Sequence, residues 1–463
     1  MFLFVSANSG FIPYVFFSGL TAFYLILTYV IGFLGVDFNY EKHKKLCAKW
    51  LDKAASQDMD IFLPVCKEQK EILLNTWGFV SQLVKAHEGK LSVHILDDGK
   101  EEWIKDAAKY FKFNYITRPS GELKKAGNLR NAFKQTSGEF FLILDADFCP
   151  AKNFLLETLP YMYENPHVAI VQTPQYFAVE STQSAIQRGA GAIQELFYRL
   201  IQVNRDTFDA AICVGTNAVY RRQPLEPMGG TAAIGYSEDV RTGFRLQDRG
   251  HLLRYIPINL AKGTCPEDWK QFFTQQYRWA MGSLSLMLSK EFWLSKLRPI
   301  QKLCYLTGML YYFTTGLSVI FAFMPSIYIL IFKPEYLHWY NLLWSIPSLL
   351  LTNLYMRYWQ KTAFTWAAVE CRQVSYYAHA FALWDTIFNT AEAWVSTGSK
   401  ARSKRYETFK AMLIAHTLII VAVLCYMVLW RIGQGYNPYN FILLMLLTAY
   451  HVASVYRAGL SNE

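Results

Sequence analysis

Leu142-Ile143-Leu144-Asp145-Ala146-Asp147 is the stretch on which the fold turns. A short apolar run ends abruptly in two carboxylates separated by one residue. Residues of this kind form a buried strand whose end reaches a solvated rim. Runs of the same type recur on both sides, at Asp60–Leu63, Leu91–Leu96, Asn114–Thr117, Val168–Gln172 and Cys213–Tyr220, with Phe140–Leu144 leading into the two acids. Helical patterns fill the intervals at Lys67–Ala86, Glu101–Phe111 and Lys124–Thr136. Strand–helix alternation over residues 59–260 predicts an α/β domain with a mostly parallel sheet. Ligands of such sheets sit beyond the carboxyl ends of the strands. Asp145 and Asp147 stand at such an end, and paired hard oxygens there suit Mg²⁺ or Mn²⁺. A merely solvated strand end has the same appearance.

Three further clusters carry chemistry. Leu96-Asp97-Asp98-Gly99 follows a strand; its acids can accept hydrogen bonds from a base or ribose, or simply make an Asp-Gly turn. Tyr236-Ser237-Glu238-Asp239 opens a helix through about Gln247, with Ser237 as a plausible N-cap. The helix dipole favours ionised Glu238 and Asp239, as a general base requires, although acids also decorate ordinary helix starts. In Gln275-Gln276-Tyr277-Arg278-Trp279, Gln275, Arg278 and Trp279 share one helical face. Arg278 can stabilise a leaving diphosphate and Trp279 can stack on a sugar ring; core packing and a salt bridge are the plainer uses. No phosphate-cradling P-loop sequence is present, which disfavours an NTPase.

Composition places this domain at a membrane. Of 463 residues, 52% are hydrophobic and 16% aromatic, more than a soluble protein of this size carries. The net charge of +10 is not gathered into one long patch, so lipid headgroups or a diphosphate substrate suit it better than nucleic acid. The eight cysteines are scattered without a CxxC pair, which speaks against a disulfide framework or a zinc site. Residues 1–36 hold no charge, and Phe11 to Gly35 is long enough to span ~30 Å of hydrocarbon. A signal peptide would need a basic start and a small-residue cleavage site. The basic group Lys42, His43, Lys44, Lys45, Lys49 follows. Further apolar runs lie at Cys304–Phe332, Tyr340–Met356, Ala411–Trp430 and Tyr439–Tyr456, giving five expected spans. Basic residues concentrate in 357–410, so the N-terminus is expected outside, with the α/β domain and the C-terminus in the cytosol. From His379 to Val395 apolar residues recur at helical spacing, with Asp385, Asn389 and Glu392 interspersed. An amphipathic helix results, at the cytosolic interface or in solution.

The order of these motifs is more specific than any one of them: DDG, DxD, an acidic helix start, QxxRW, then spans. In this order the chain resembles the processive family 2 glycosyltransferases, which include cellulose, chitin and hyaluronan synthases, over about residues 59–460. Phe62-Leu63-Pro64-Val65-Cys66-Lys67-Glu68 is similar to the opening strand and turn of that family. Lys125-Ala126-Gly127-Asn128-Leu129 resembles its KAGN segment, and Val171-Gln172-Thr173-Pro174-Gln175 the VQTP segment of cellulose synthases. Gly215-Thr216-Asn217 sits where the family lines the acceptor site. Trp394-Val395-Ser396-Thr397-Gly398-Ser399-Lys400 resembles the cellulose synthase gating loop, with tryptophan for the leading phenylalanine and no Pro-Lys pair. The usual TED reads Ser237-Glu238-Asp239 here.

The resemblance implies a GT-A domain over 41–300 between a membrane helix in 1–40 and a channel region over 301–463. It implies a processive, inverting, metal-dependent enzyme. Such an enzyme polymerises a UDP-sugar, most naturally UDP-glucose, into a β-linked polysaccharide and translocates it. Asp97 would then contact uracil, Lys125 the diphosphate, Asp145 the nucleotide and Asp147 the metal. Asp239 would be the catalytic base with Glu238 next in line, and Gln275, Arg278, Trp279 and Thr397 would bind substrate. UDP-GlcNAc-using synthases, lipid-linked-sugar transferases and a transporter with a cytosolic domain are the competing classes. QxxRW and the downstream spans oppose the lipid-linked reading. The transporter reading lacks the intramembrane ionisable residues or repeats that it would need.

Overall fold

The computed structural model describes residues 12–177, 180, 182–343, 345–350, 354, 355, 358, 365–391 and 404–460. Among the described residues its α/β domain holds ten strands: β1 Met59–Val65, β2 Leu91–Asp97, β3 Asn114–Thr117, β4 Phe140–Ile143, β5 Cys149–Pro150, β6 Val168–Gln172, β7 Tyr176–Phe177, β8 Ala218–Arg221, β9 Leu252–Tyr255 and β10 Ala261–Gly263. Seven of them form one sheet in the order β3-β2-β1-β4-β8-β6-β9. β1 runs parallel to β2 and β4, β2 to β3, and β6 to β9. Every residue of β1 is buried, as expected for a strand covered on both faces by helices. Phe62, Phe141 and Tyr220 stack across β1, β4 and β8, with ring centroids 4.9 and 5.1 Å apart.

β8 corrects the expected strand Cys213–Tyr220. It begins only at Ala218 and is antiparallel to both β4 and β6. The cause lies just before it: Gly215 (φ 77°) and Asn217 (φ 53°) take left-handed backbone conformations that a strand cannot hold. β5, β10 and β7 make a second, small sheet beside the end of β4. It sets Phe148 against Phe177, with centroids 5.5 Å apart.

Four helices among the described residues are long and apolar enough to cross a membrane: Ile12–Leu34, Pro299–Phe332, Lys404–Gly433 and Pro438–Gly459. The break near Pro325 is present, since the second of these is two helical pieces, Pro299–Phe321 and Met324–Phe332. The expected span at 340–356 falls partly outside the described residues; its described part includes the short helix Ser345–Leu350. Helix Ile12–Leu34 packs on Pro299–Phe321, where Phe17 and Phe321 stack at 5.0 Å.

The expected amphipathic helix at 379–395 is instead a longer helix, Trp366–Phe388. It packs on Trp269–Met287 and Pro299–Phe321. Its polar residue Asp385 is buried, while Trp384, Ile387 and Phe388 are exposed. The inversion has a physical reason. Asp385 accepts hydrogen bonds from Tyr277, Thr390 and Arg405, so its charge is neutralised inside the protein. The gating-like loop 394–400, with Thr397, lies outside the described residues.

Candidate active site

A cleft opens at the carboxyl ends of β1 and β4. Its walls include Glu68, Asp98, Lys125, Asp145, Asp147, Gln175, Gln275, Arg278 and Trp279. Each arrives there for a local reason. β4 stops at Ile143, and the backbone turns so that Phe148 N donates to Asp145 O at 3.1 Å. That turn lets two carboxylates on one strand end reach one rim. Lys125 lies in the first turn of helix Lys124–Gln135, and its ammonium donates to Asp145 Oδ1 at 2.5 Å and to Gly215 O at 3.0 Å. Thr216 Oγ1 accepts from Asp145 N at 2.8 Å. Gly215 also abuts the acidic helix start: a Cβ there would fall 2.8 Å from the Asp239 Cβ and 2.9 Å from its Oδ2. The Gly215-Thr216 step is thus the brace that sets Lys125, Asp145 and Asp239 against one another.

Charge and burial oppose each other in the cleft and at the helix start beside it, where Glu238 and Asp239 do not line the cleft wall but lie within electrostatic reach of Lys125. Burial depresses the Lys125 ammonium pKa, yet Asp145, Glu238 and Asp239 outweigh it and lift the group above an ordinary lysine. Burial lowers the Arg278 pKa, against the pull of Asp145, Glu238 and Asp239. Burial pushes Asp239 up to about 7, and Glu238 beside it adds to the effect. Glu238 is raised by burial as well, with Lys125 opposing. Asp147 reaches about 7 through burial and the neighbouring Asp145. Glu68, which sequence reading placed only within a family segment, rises to about 6 through burial and lines the same cleft.

Helix Trp269–Met287 carries Gln275, Arg278 and Trp279 on the face turned to the cleft, as the i, i+3, i+4 spacing predicts. Helix Glu238–Asp248 begins where expected, but Ser237 does not cap it with its side chain. Ser237 adopts a left-handed conformation (φ 46°), and a side chain on Gly282 would collide with it. The turn before Glu238 is therefore held by close helix contact, which local sequence cannot show.

Asp97 does not reach the cleft. Its carboxylate is fully buried and accepts from Gly99 N, Lys100 N, Glu101 N and Tyr115 Oη, at 2.7, 2.8, 3.2 and 2.9 Å. Here it builds the Asp-Gly turn. Asp98 lines the wall instead, held by a bidentate pair with Arg118 at 2.7 Å on each side. Gln175 and Thr264 also line the cleft and were missed. Gln175 sits in the VQTPQ run, where the Tyr198 hydroxyl donates to its Oε1 at 2.7 Å; Thr264 has no sequence signal.

Known proteins share this layout. A model of "Glycosyl transferase family 2" matches residues 60–229, and a "Cellulose synthase" model continues over 229–352. Over these stretches the chain is similar first to the family 2 glycosyltransferases and then to the cellulose synthases. Among curated relatives, a UDP-forming cellulose synthase catalytic subunit of Pseudomonas fluorescens is 29% identical over 85% of this chain and 52% of its own length. A cellulose synthase 1 catalytic subunit of Komagataeibacter xylinus is 35% identical over 58% of this chain and 36% of its own. The chain thus spans about half or less of these two relatives. The solved mannosyltransferase PcManGT of Pyrobaculum calidifontis, in complex with GDP-Man and Mn²⁺, superposes with TM-score 0.54 at 14% identity, over 81% of this chain and 99% of its own. That likeness gives the α/β domain a GT-A fold. With four helices among the described residues long and apolar enough to cross a membrane, the chain is an integral membrane protein.

Proposed function

We propose that this glycosyltransferase elongates a β-linked polysaccharide, most naturally a β-glucan from UDP-glucose, and passes the product out between its membrane helices. One observation carries the reading: Gly215-Thr216 joins a cation–carboxylate pair, Lys125–Asp145, to a half-buried acid with elevated pKa, Asp239. The first suits a nucleoside diphosphate and the second suits a general base.

The reaction is a single inverting displacement. An acceptor hydroxyl attacks the anomeric carbon of an α-linked UDP-sugar. The new glycosidic C–O bond forms as the bond to the diphosphate oxygen breaks. The hydroxyl proton passes to Asp239, and UDP leaves against Lys125 and Arg278. Trp279 offers the terminal sugar a flat apolar face. Asp97 acts on the uracil side through the loop it shapes.

Asp145 and Asp147 fit a hard divalent cation. Both are carboxylates on one rim, and the elevated Asp147 pKa marks a buried negative charge without a counter-ion of its own. Mg²⁺ or Mn²⁺ held there would supply Lewis-acid stabilisation of the leaving diphosphate.

We place the α/β domain in the cytosol and the N-terminus outside, on the charge bias of Lys42–Lys49 and 357–410. A cysteine introduced at Ser6 in a cysteine-free background should react with an impermeant reagent from the outer face; protection until lysis reverses the direction of export.

The deciding experiment incubates the purified chain with single UDP-sugars and digests any polymer with linkage-specific hydrolases. UDP release with a β-glucanase-sensitive polymer is expected. Polymer from UDP-GlcNAc alone would move the donor to the chitin or hyaluronan type. A short lipid-linked product would make the enzyme non-processive.

A further inference from the structure

Away from the cleft, helix Tyr40–Lys49 follows the first membrane helix and lies against helix Phe154–Glu164 of the catalytic domain. Three side chains of different chemistry converge in this seam. His43 Nε2 is 2.7 Å from Glu157 Oε2. Cys47 Sγ is 3.6 Å from His43 Nε2 and 3.7 Å from Glu157 Oε2. His43 is buried, and the other two are half-buried.

We propose that His43, Cys47 and Glu157 form a structural zinc site that pins the membrane-proximal helix to the catalytic domain.

Four features support it. First, an imidazole, a thiol and a carboxylate are the three ligand types of zinc, and the thiol and imidazole discriminate against Mg²⁺. Second, the spacing is right. Zn–S near 2.3 Å and Zn–N or Zn–O near 2.1 Å, at tetrahedral angles, place sulfur about 3.5 Å from each other ligand. Both observed sulfur separations are of that size. The third separation is a hydrogen bond, and it lengthens by roughly 0.6 Å when a metal takes the proton's place. Third, His43 and Cys47 are four residues apart on one helix, so they share a face without any loop having to fold around the ion.

The fourth feature lies behind the ligands. A metal-binding histidine is oriented by a partner on its other ring nitrogen. His43 Nδ1 lies 2.9 Å from the Tyr161 hydroxyl, and Asn153 donates to Glu157 Oε1 at 3.0 Å, leaving Oε2 for the ion. Binding releases the Cys47 thiol proton and the proton shared by His43 and Glu157 to solvent, and water completes the tetrahedron. The absence of a CxxC pair does not weigh against this site, because its ligands come from two separate helices.

The test uses the full chain in detergent, freed of any histidine tag and exposed to micromolar Zn²⁺ before buffer exchange. Elemental analysis should give about one zinc per wild-type chain and a several-fold lower content in Cys47→Ser and His43→Gln. Zinc in the wild type no higher than in Cys47→Ser overturns the proposal. Should the variants fail to fold, Co²⁺ added to the wild type decides alone. A near-ultraviolet thiolate-to-cobalt band supports the site, and Co²⁺ uptake without that band, or no uptake, sinks it. These readouts do not depend on polymer synthesis, so their failure leaves the proposed function standing.

Discussion

The Tyr277 hydroxyl donates to Asp385 Oδ2 at 2.6 Å, tying the helix that bears Arg278 and Trp279 to helix Trp366–Phe388. The same carboxylate takes Arg405 Nη2 at 2.5 Å and Thr390 Oγ1 at 2.6 Å. Asp385 is 1% exposed, so removing its carboxylate leaves the Tyr277 and Thr390 hydroxyls without their acceptor, while Arg405 keeps its bond to Thr390 O and part of its surface in solvent. Leaving a buried donor without its acceptor costs about 1–3 kcal/mol. Asp385→Ala should therefore lower the thermal unfolding midpoint of the detergent-solubilised chain by several degrees. Tyr277→Phe, which removes one hydroxyl, should cost about 1–3 kcal/mol and reduce polymer output, because Arg278 and Trp279 follow it on the same helix. Unchanged midpoints in both variants would mean that the two helices are held together elsewhere.

Asp239 faces the acceptor side of the proposed reaction. Asp239→Asn should leave UDP affinity nearly unchanged in calorimetry while cutting radiolabelled polymer synthesis by roughly 10²- to 10⁴-fold, the range of a lost general base. Near-normal turnover would transfer the role to Glu238. Loss of UDP binding would put helix Glu238–Asp248 on the donor side.

The elevated Asp239 pKa gives a pH signature. A base must be deprotonated to work, and its folded pKa lies near 7 instead of near 4. Activity is then present above about pH 7 and lost as pH falls through that value. Glu238 and Asp239 lie side by side, so the acid limb of kcat/KM belongs to the pair. Measured at saturating Mg²⁺ or Mn²⁺, a limb near pH 4 would show that neither acid is the base.

Metal removal should stop synthesis. Excess EDTA should abolish polymer formation, and added Mg²⁺ or Mn²⁺ should restore it. Asp147→Asn should raise the metal concentration needed for half-maximal rate. Full synthesis in EDTA would leave Lys125 and Arg278 to carry the leaving group alone.

The strands that lead to the cleft were readable from pattern alone, because each is an apolar run stopped by turn residues; β3 and β6 match to the residue. β1 and β2 are each slightly longer than expected, since pairing extends them past their apolar cores. Asp145, Asp147, Arg278 and Trp279 line one cleft, and Glu238 and Asp239 lie within electrostatic reach of its Lys125; the roles given to them rest on the order of the motifs. Misreadings arose where the deciding partner is distant in sequence. Asp97 looks like a free strand-end acid until Tyr115 and three backbone amides are found on it. Ser237 looks like a cap until Gly282 is seen against it. Asp385 looks like the solvated face of an amphipathic helix until Tyr277 and Arg405 neutralise it. Periodicity reports which residues avoid water, and it says nothing about which buried charges have found partners.

The stacked rings of Phe17 and Phe321 impose an order on biogenesis. About two thirds of the chain separates them, and the whole α/β domain lies in between. In synthesis, helix Ile12–Leu34 is made well before helix Pro299–Phe321, so the contact between them closes only after the α/β domain has been made. The catalytic domain condenses meanwhile as a loop tethered at one end. A product that ends before Pro299–Phe321 would lack the surface on which Phe17 stacks, and would hold Ile12–Leu34 only through its contacts with the α/β domain.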